Sequence, residues 1–131
     1  MLRLNVVTPE RPFLEEDCQD VTLPASLGEM QVLPGHAAIL SELSVGIVSY
    51  QKRNNETVRF MVSEGFVEVA HDRVNVLCEQ ARFKSEIDRT LEEALLRDLE
   101  SKLKMTEEAE SSQKRRVVEL ERCVARLSLF D

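Results

Sequence analysis

Apolar and polar positions follow two different periods along this chain, and the change falls near residue 84. In the first part apolar residues recur at every second position. Leu2, Leu4 and Val6 alternate with Arg3 and Asn5, and Val58, Phe60 and Val62 with Arg59 and Met61. Val45, Ile47 and Val48 precede Tyr50. Phe66, Val67 and Val69, then Val74, Val76 and Cys78, flank His71-Asp72-Arg73. A period of two sends successive side chains to opposite faces of a strand, so this region predicts short, half-buried β-strands. The chain has 4 Gly and 4 Pro, all of them between Pro9 and Gly65. Turn residues at that density, set between short strands, predict an antiparallel sandwich or barrel. Asn54-Asn55 and His71-Asp72 are the predicted hairpin tips, because Asn and Asp tolerate the left-handed backbone such tips need.

Beyond Ala81 the pattern becomes helical. Residues 86–131 contain no Gly or Pro and are rich in Glu, Leu, Arg, Lys and Ala, all good helix formers. Ser85 or Asp88 can cap the start. Leu91, Leu95, Leu99 and Leu103 recur every four residues, a stripe that drifts about 40° per step and so faces two neighbours in turn. A polar stretch from Thr106 to Ser112 then interrupts the apolar pattern, and Ser111 or Ser112 can cap a second helix. There Val117, Leu120, Val124 and Leu127 gather on one face, with Arg115, Glu119, Arg122 and Arg126 opposite, and the simplest arrangement is a hairpin with both apolar stripes turned inward or against the sandwich. The expected architecture is a mainly β sandwich over residues 1–84 followed by an antiparallel two-helix hairpin over residues 85–131.

Charge adds a contrast. Over residues 86–110 nine carboxylates outnumber four cations. From Lys114 to Arg126 the cations Lys114, Arg115, Arg116, Arg122 and Arg126 outnumber Glu119 and Glu121. Two readings stay open: a solvated hairpin whose helices complement one another, or a basic helix face that meets an acidic partner when the hairpin opens. The net charge of −7 argues against nucleic acid as a main partner. No apolar run approaches the roughly 20 residues a membrane-spanning helix needs, and the apolar part of MLRLNVVT is too short for a signal peptide. The chain reads as cytosolic or peripheral to a membrane. Cys18, Cys78 and Cys123 are far apart and lack metal-ligand spacing, which predicts reduced core thiols and no metal site.

The run Gly28-Glu29-Met30-Gln31-Val32-Leu33-Pro34-Gly35-His36-Ala37 resembles the signature of the epsilon subunit of the bacterial and plastid rotary ATP synthase. Further stretches resemble that family in the right order: Val6-Val7-Thr8-Pro9-Glu10, Val21-Thr22-Leu23-Pro24, Val62 to Val69, Val74-Asn75-Val76-Leu77, and Ile87-Asp88 at the start of the hairpin. Two positions depart from it: Ala38 stands where a proline is usual and Glu64 where a glycine is usual.

The resemblance implies a sandwich of about ten strands and two helices in a non-catalytic subunit of the central stalk. It implies binding to the gamma subunit and to the ring of c subunits, with contact to the catalytic beta (and alpha) subunits. It implies a peripheral position on the cytoplasmic face of the membrane, or the stromal side in a plastid. Its C-terminal helices either fold against the sandwich or extend and restrain ATP hydrolysis. Glu29 and His36 match positions near the c ring; the alternative makes Glu29 a turn carboxylate and His36 a loop residue bonded to backbone. Arg115, Arg122 and Arg126 match the helix that meets the beta subunit. Some members bind ATP through an Asp-x-x-Arg-Ala motif and arginines of the second helix. Here Asp88, Arg122 and Arg126 are kept, but Leu91 and Glu92 replace the Arg-Ala pair, so tight ATP binding is not expected. No cofactor is implied, and no nucleophile–base set or phosphate-cradling glycine loop suggests an enzyme. Two other readings remain: a free-standing protein-binding adaptor, and a nucleotide sensor built on the hairpin.

Overall fold

A computed structural model describes residues 1–104 and 110–131. The strands are β1 (Leu2–Val7), β2 (Pro12–Cys18), β3 (Asp20–Ala25), β4 (Gly28–Val32), β5 (Ile39–Leu43), β6 (Gly46–Gln51), β7 (Thr57–Val62), β8 (Gly65–Ala70), β9 (Arg73–Cys78) and β10 (Ala81–Phe83). Helices α1 (Arg89–Leu103) and α2 (Glu110–Ser128) follow. Ten strands and two helices in this order match the architecture read from the two periods.

Neighbouring strands run in the order β10-β7-β6-β3-β5-β8-β9-β1-β2, with β4 attached to β3. All pairings are antiparallel except β1 with β9. β3 pairs with β6 over Asp20–Thr22 but meets β5 only at Ala25, opposite Leu43. That change of partner is the corner at which the sheet turns to form its second layer. β2 and β10 come together across the other side, where the Phe13 and Phe83 rings stack with centroids 4.4 Å apart. The Tyr50 hydroxyl donates to Glu16 at 2.6 Å, tying β6 to β2. Between the layers lie the alternating apolar residues, including Leu4, Val21, Leu23, Val48, Phe60 and Val76, all nearly or fully buried. Cys18 and Cys78 join this core and Cys123 lies under the hairpin. Burial pushes each thiol up to about 11, as expected of structural rather than reactive cysteines.

The predicted turns are present. His71 and Asp72 have φ of 51° and 60°, and Asn55 has φ of 67°. Gly65 is required by a different constraint. A Cβ there would stand 2.0 Å from the Leu77 carbonyl oxygen, so β8 approaches β9 as closely as it does only because the side chain is missing.

Asp88 caps α1, its carboxylate accepting from the Leu91 backbone N–H at 3.2 Å. Ser85 sits one turn earlier in a short 3-10 segment. The leucine stripe of α1 begins in solvent: Leu91 is exposed, Leu95 half-buried and Leu99 buried. The polar stretch expected to part the helices lies outside the described residues from Thr106 to Ala109. Ser111 and Ser112 lie within α2 rather than ahead of it. α2 packs on the outer face of β6 and β7, where Met61 is fully buried with Ala125 and Leu129, flanked by Val45, Ile47 and Ile87. The Phe130 ring accepts Lys84 and Arg89 over its face at 5.3 and 5.4 Å, bringing the end of the helical region back to its beginning.

Candidate docking surfaces

Three surfaces carry the residues of interest. The first is the edge formed by β4 and the loop after it. Among the described residues β4 pairs with β3 alone, which leaves its outer backbone edge without a strand partner there. Glu29 lies on it opposite Pro24 and is exposed. Leu27, at the tip of the β3–β4 hairpin, is fully exposed, and Leu33 half-exposed. Gly35, with φ of 85°, turns the following loop, and its N–H donates to Asp72 at 2.7 Å. That bond fastens the loop to the tip of the β8–β9 hairpin. His36 is half-buried, with Nδ1 2.6 Å from the Ala37 carbonyl oxygen. A carbonyl only accepts, so Nδ1 carries the proton. Glu29 and His36 share no hydrogen bond or ion pair among the described residues.

The second surface is the outward face of β5, β8, β9 and β1. The register lines up Glu42, Phe66, Leu77 and Val7 in one row across four strands. Leu40, Glu68, Asn75 and Asn5 form the next row. Leu40, Phe66 and Leu77 are 70%, 53% and 59% exposed, although their strands already bury the opposite phase. An open cleft of about 620 Å³ lies over the first row, with Phe66, Leu77 and Leu43 in its floor and Glu42, Glu64 and Glu79 in its walls. The charged residues that line it are these three glutamates, with no Lys or Arg among the described lining residues. This surface was not picked out from the sequence. Its signal was available: Phe66 and Leu77 are apolar residues in the polar phase of alternating strands.

The third surface is α2, and here the structure reverses an expectation. Arg122 and Arg126 do not lie on a solvent face opposite a buried stripe of Val117, Leu120, Val124 and Leu127, of which Leu120 and Leu127 are half-buried. Arg126 is 7% exposed, while Val117 and Val124 are 43% and 51% exposed. The arginines are turned inward because carboxylates wait there. Arg126 Nε stands 2.9 Å from Glu92 of α1, close enough for an ion pair though not aligned as a hydrogen bond. Arg126 also donates to Gln80 at 3.0 Å. Arg122 is held by Glu64 and donates to Glu119 at 3.2 Å. Burial pushes the Glu64 carboxyl up, but the Arg122 hydrogen bond, its own backbone N–H and the guanidinium charge outweigh this and hold it below its ordinary value. The small residues Cys123 and Ala125 let α2 approach closely enough for these bonds, and the Cys123 thiol donates to the Glu92 carbonyl at 3.2 Å. Of the three arginines matched to the beta-facing helix, Arg115 alone is exposed.

Asp88, Arg122 and Arg126 share no partner. Asp88 caps a helix and each arginine already has a carboxylate. Neither Arg122 nor Arg126 is therefore uncommitted toward a triphosphate, and Glu92, close to Arg126, would repel one.

Residues 1–84 match the family described as ATP synthase, Delta/Epsilon chain, beta-sandwich domain. Over 128 residues the sequence is 36% identical to the ATP synthase epsilon chain 2 of Syntrophotalea carbinolica, covering 98% of this chain and 92% of that one. The chain belongs to the ATP synthase epsilon-chain family. The epsilon chain of Geobacter metallireducens is 35% identical over the same coverage. A chain in the cryo-EM structure of Euglena gracilis mitochondrial ATP synthase superposes with a TM-score of 0.87 at 21% identity, covering 99% of this chain and 81% of that one. That likeness concerns the fold and extends it through both helices. No helix among the described residues is long and apolar enough to cross a membrane.

Proposed function

We propose that the protein is a non-catalytic rotor subunit of a rotary ATP synthase, joining the gamma subunit to the c ring and restraining ATP hydrolysis through its helices. The observation that carries this is similarity to epsilon chains along nearly the whole sequence, helices included. Such a subunit works through its surfaces. The β4 edge with Leu27, Glu29, Leu33 and His36 offers an exposed rim on a rigid sandwich and fits the polar loops of the c ring. The row Glu42-Phe66-Leu77-Val7 fits the gamma subunit. An apolar centre with a charged rim is the usual anatomy of a protein–protein contact, and burying a Phe or Leu contributes on the order of 2 kcal/mol. The subunit is peripheral to the membrane, on the cytoplasmic face, and held there by its partners. Arg115, on the outer side of α2, is the arginine positioned to meet a catalytic subunit while the hairpin stays docked.

The reading is tested by copurification from membranes with a tagged chain. Wild type brings down gamma. Phe66→Glu with Leu77→Glu abolishes this while Tyr50 fluorescence stays that of the folded sandwich. Gamma retained by the double variant removes the assignment of this face. Absence of any ATP synthase subunit with wild type removes the function and favours the adaptor.

A further inference from the structure

Glu64 stands where the second and third surfaces meet. It occupies the turn between β7 and β8, where its carbonyl accepts from the Glu79 N–H. It forms part of the wall of the cleft over Phe66 and Leu77, and its carboxylate is held by Arg122 of α2. The two ends of this pair differ in access to water. The Arg122 side chain is 14% exposed and that of Glu64 is 45% exposed. The carboxylate is thus the end that an incoming group can reach.

The cleft defines that group. Its floor is apolar, and the charged residues in its lining, Glu42, Glu64 and Glu79, are all acidic. The occupant that complements it is a segment with an apolar side chain flanked by lysine or arginine. We propose that such a segment of the gamma subunit, seated in the cleft, draws Glu64 away from Arg122, so that docking of the partner loosens α2 from the sandwich. The inference rests on the assignment of this face to gamma.

Two features make the exchange feasible. Arg122 keeps a second carboxylate, Glu119, one turn away on its own helix at 3.2 Å, so losing Glu64 does not strand a buried charge. Glu64 in turn exchanges one cation for another. Arg126, held by Glu92 and Gln80 away from the cleft lining, remains as a second attachment. The hairpin is therefore loosened rather than set free. Because Glu64 is half-exposed, the pair is worth a modest factor, and its loss should speed opening of α2 by about two- to fivefold.

The test is amide hydrogen exchange on the full chain, alone and bound to purified gamma, in wild type and Glu64→Gln. In wild type, gamma should protect β8 and β9 around Phe66 and Leu77 and speed exchange in residues 119–129 by about two- to fivefold. Glu64→Gln should show that faster exchange without gamma, and gamma should add little more. Arg122→Gln should behave as Glu64→Gln does, confirming the pair from its other side. Protection of β8 and β9 with α2 unchanged overturns the coupling and leaves the docking assignment standing. Protection elsewhere, sparing Phe66 and Leu77, overturns both. Wild-type exchange in α2 of free Glu64→Gln, or an equal acceleration by gamma in both proteins, shows that Glu64 is not the link.

Discussion

Replacing Arg126 by alanine is the most direct test of what holds α2 to α1 and to the sandwich. Arg126 is 7% exposed, and the side chain of its partner Glu92 is 17% exposed. Removing the guanidinium leaves a carboxylate and the Gln80 amide oxygen largely cut off from water. Breaking a fully buried pair in this way costs roughly 3–5 kcal/mol, and the residual hydration of Glu92 reduces that to about 2–3 kcal/mol. Arg122→Ala should cost less, about 1 kcal/mol or below, because Glu64 is 45% exposed and recovers water. Arg115→Ala, on the outer side, should stay within about 0.5 kcal/mol. Had all three arginines lain on one solvated face, the three substitutions would be equal and small, so the ranking itself is informative. The chain supplies two separable probes. It has 1 Tyr and no Trp, so fluorescence reports Tyr50 inside the sandwich, while far-ultraviolet ellipticity is dominated by the helices. In urea, Arg126→Ala should move the helical transition to lower denaturant and leave that of Tyr50 nearly in place. A double-mutant cycle with Glu92→Ala should return a coupling of about 1.5 kcal/mol or more. A helical transition no more displaced by Arg126→Ala than by Arg115→Ala would refute the reasoning.

Four further outcomes follow from the geometry. Gly65→Ala places a Cβ 2.0 Å from a backbone oxygen and should destabilise the sandwich by about 3 kcal/mol or more, seen as a lowered Tyr50 transition; a wild-type midpoint would contradict the close approach of β8 to β9. Truncation after Lys84 should leave a folded, gamma-binding sandwich, weakened where Met61 loses its cover, and loss of folding or of gamma would show that the helices are part of the same unit. Calorimetry should find weak or no ATP binding, since both inward arginines already face carboxylates; micromolar affinity would revive the nucleotide-sensor reading. Docking of α2 should also weaken in acid. Glu64 has a folded pKa below its ordinary value of 4.5, so its contribution is complete above that value and fades as pH falls through the lower one. Glu64→Gln should remove this acid-dependent part of α2 hydrogen exchange, and an unchanged acid profile would place the effect on other carboxylates.

The sandwich was legible because each of its strands repeats one simple instruction. Alternation at Leu2-Leu4-Val6 or Val74-Val76-Cys78 fixes which face is inside, and Asn54-Asn55 and His71-Asp72 accept backbone angles that few other residues would. Asp88 was readable as a cap for the same local reason. Register was not readable, since the row Glu42-Phe66-Leu77-Val7 exists only once four strands are aligned. The face of α2 was misread because a helical wheel gives angles and not neighbours. Val117, Leu120, Val124 and Leu127 formed the most apolar stripe, and the sequence pattern alone favoured burying all four, whereas the two leucines are half-buried and the two valines exposed. What decides the matter lies elsewhere in the chain: Glu64 in a turn, Gln80 before β10 and Glu92 on α1 supply partners for Arg122 and Arg126, and Cys123 and Ala125 are small enough to permit contact.

That reversal bears on how the helices are held. A helix docked by its most apolar face is released only at the cost of exposing that face to water. Here docking already leaves Val117, Val118 and Val124 at 43%, 39% and 51% exposure, while the contact with the sandwich rests on the Arg122–Glu64 pair, the Arg126–Gln80 hydrogen bond and a small cluster around Met61. Undocking α2 therefore exposes less apolar area than the sequence pattern implies and gives up mainly ionic contacts, which water and salt partly replace. It also leaves the valine stripe available to another protein surface without first being withdrawn from this one. Two arrangements of the same helix then differ by a few ion pairs against a few apolar contacts, and a gap of that size is one that a partner carrying opposite charge can tip.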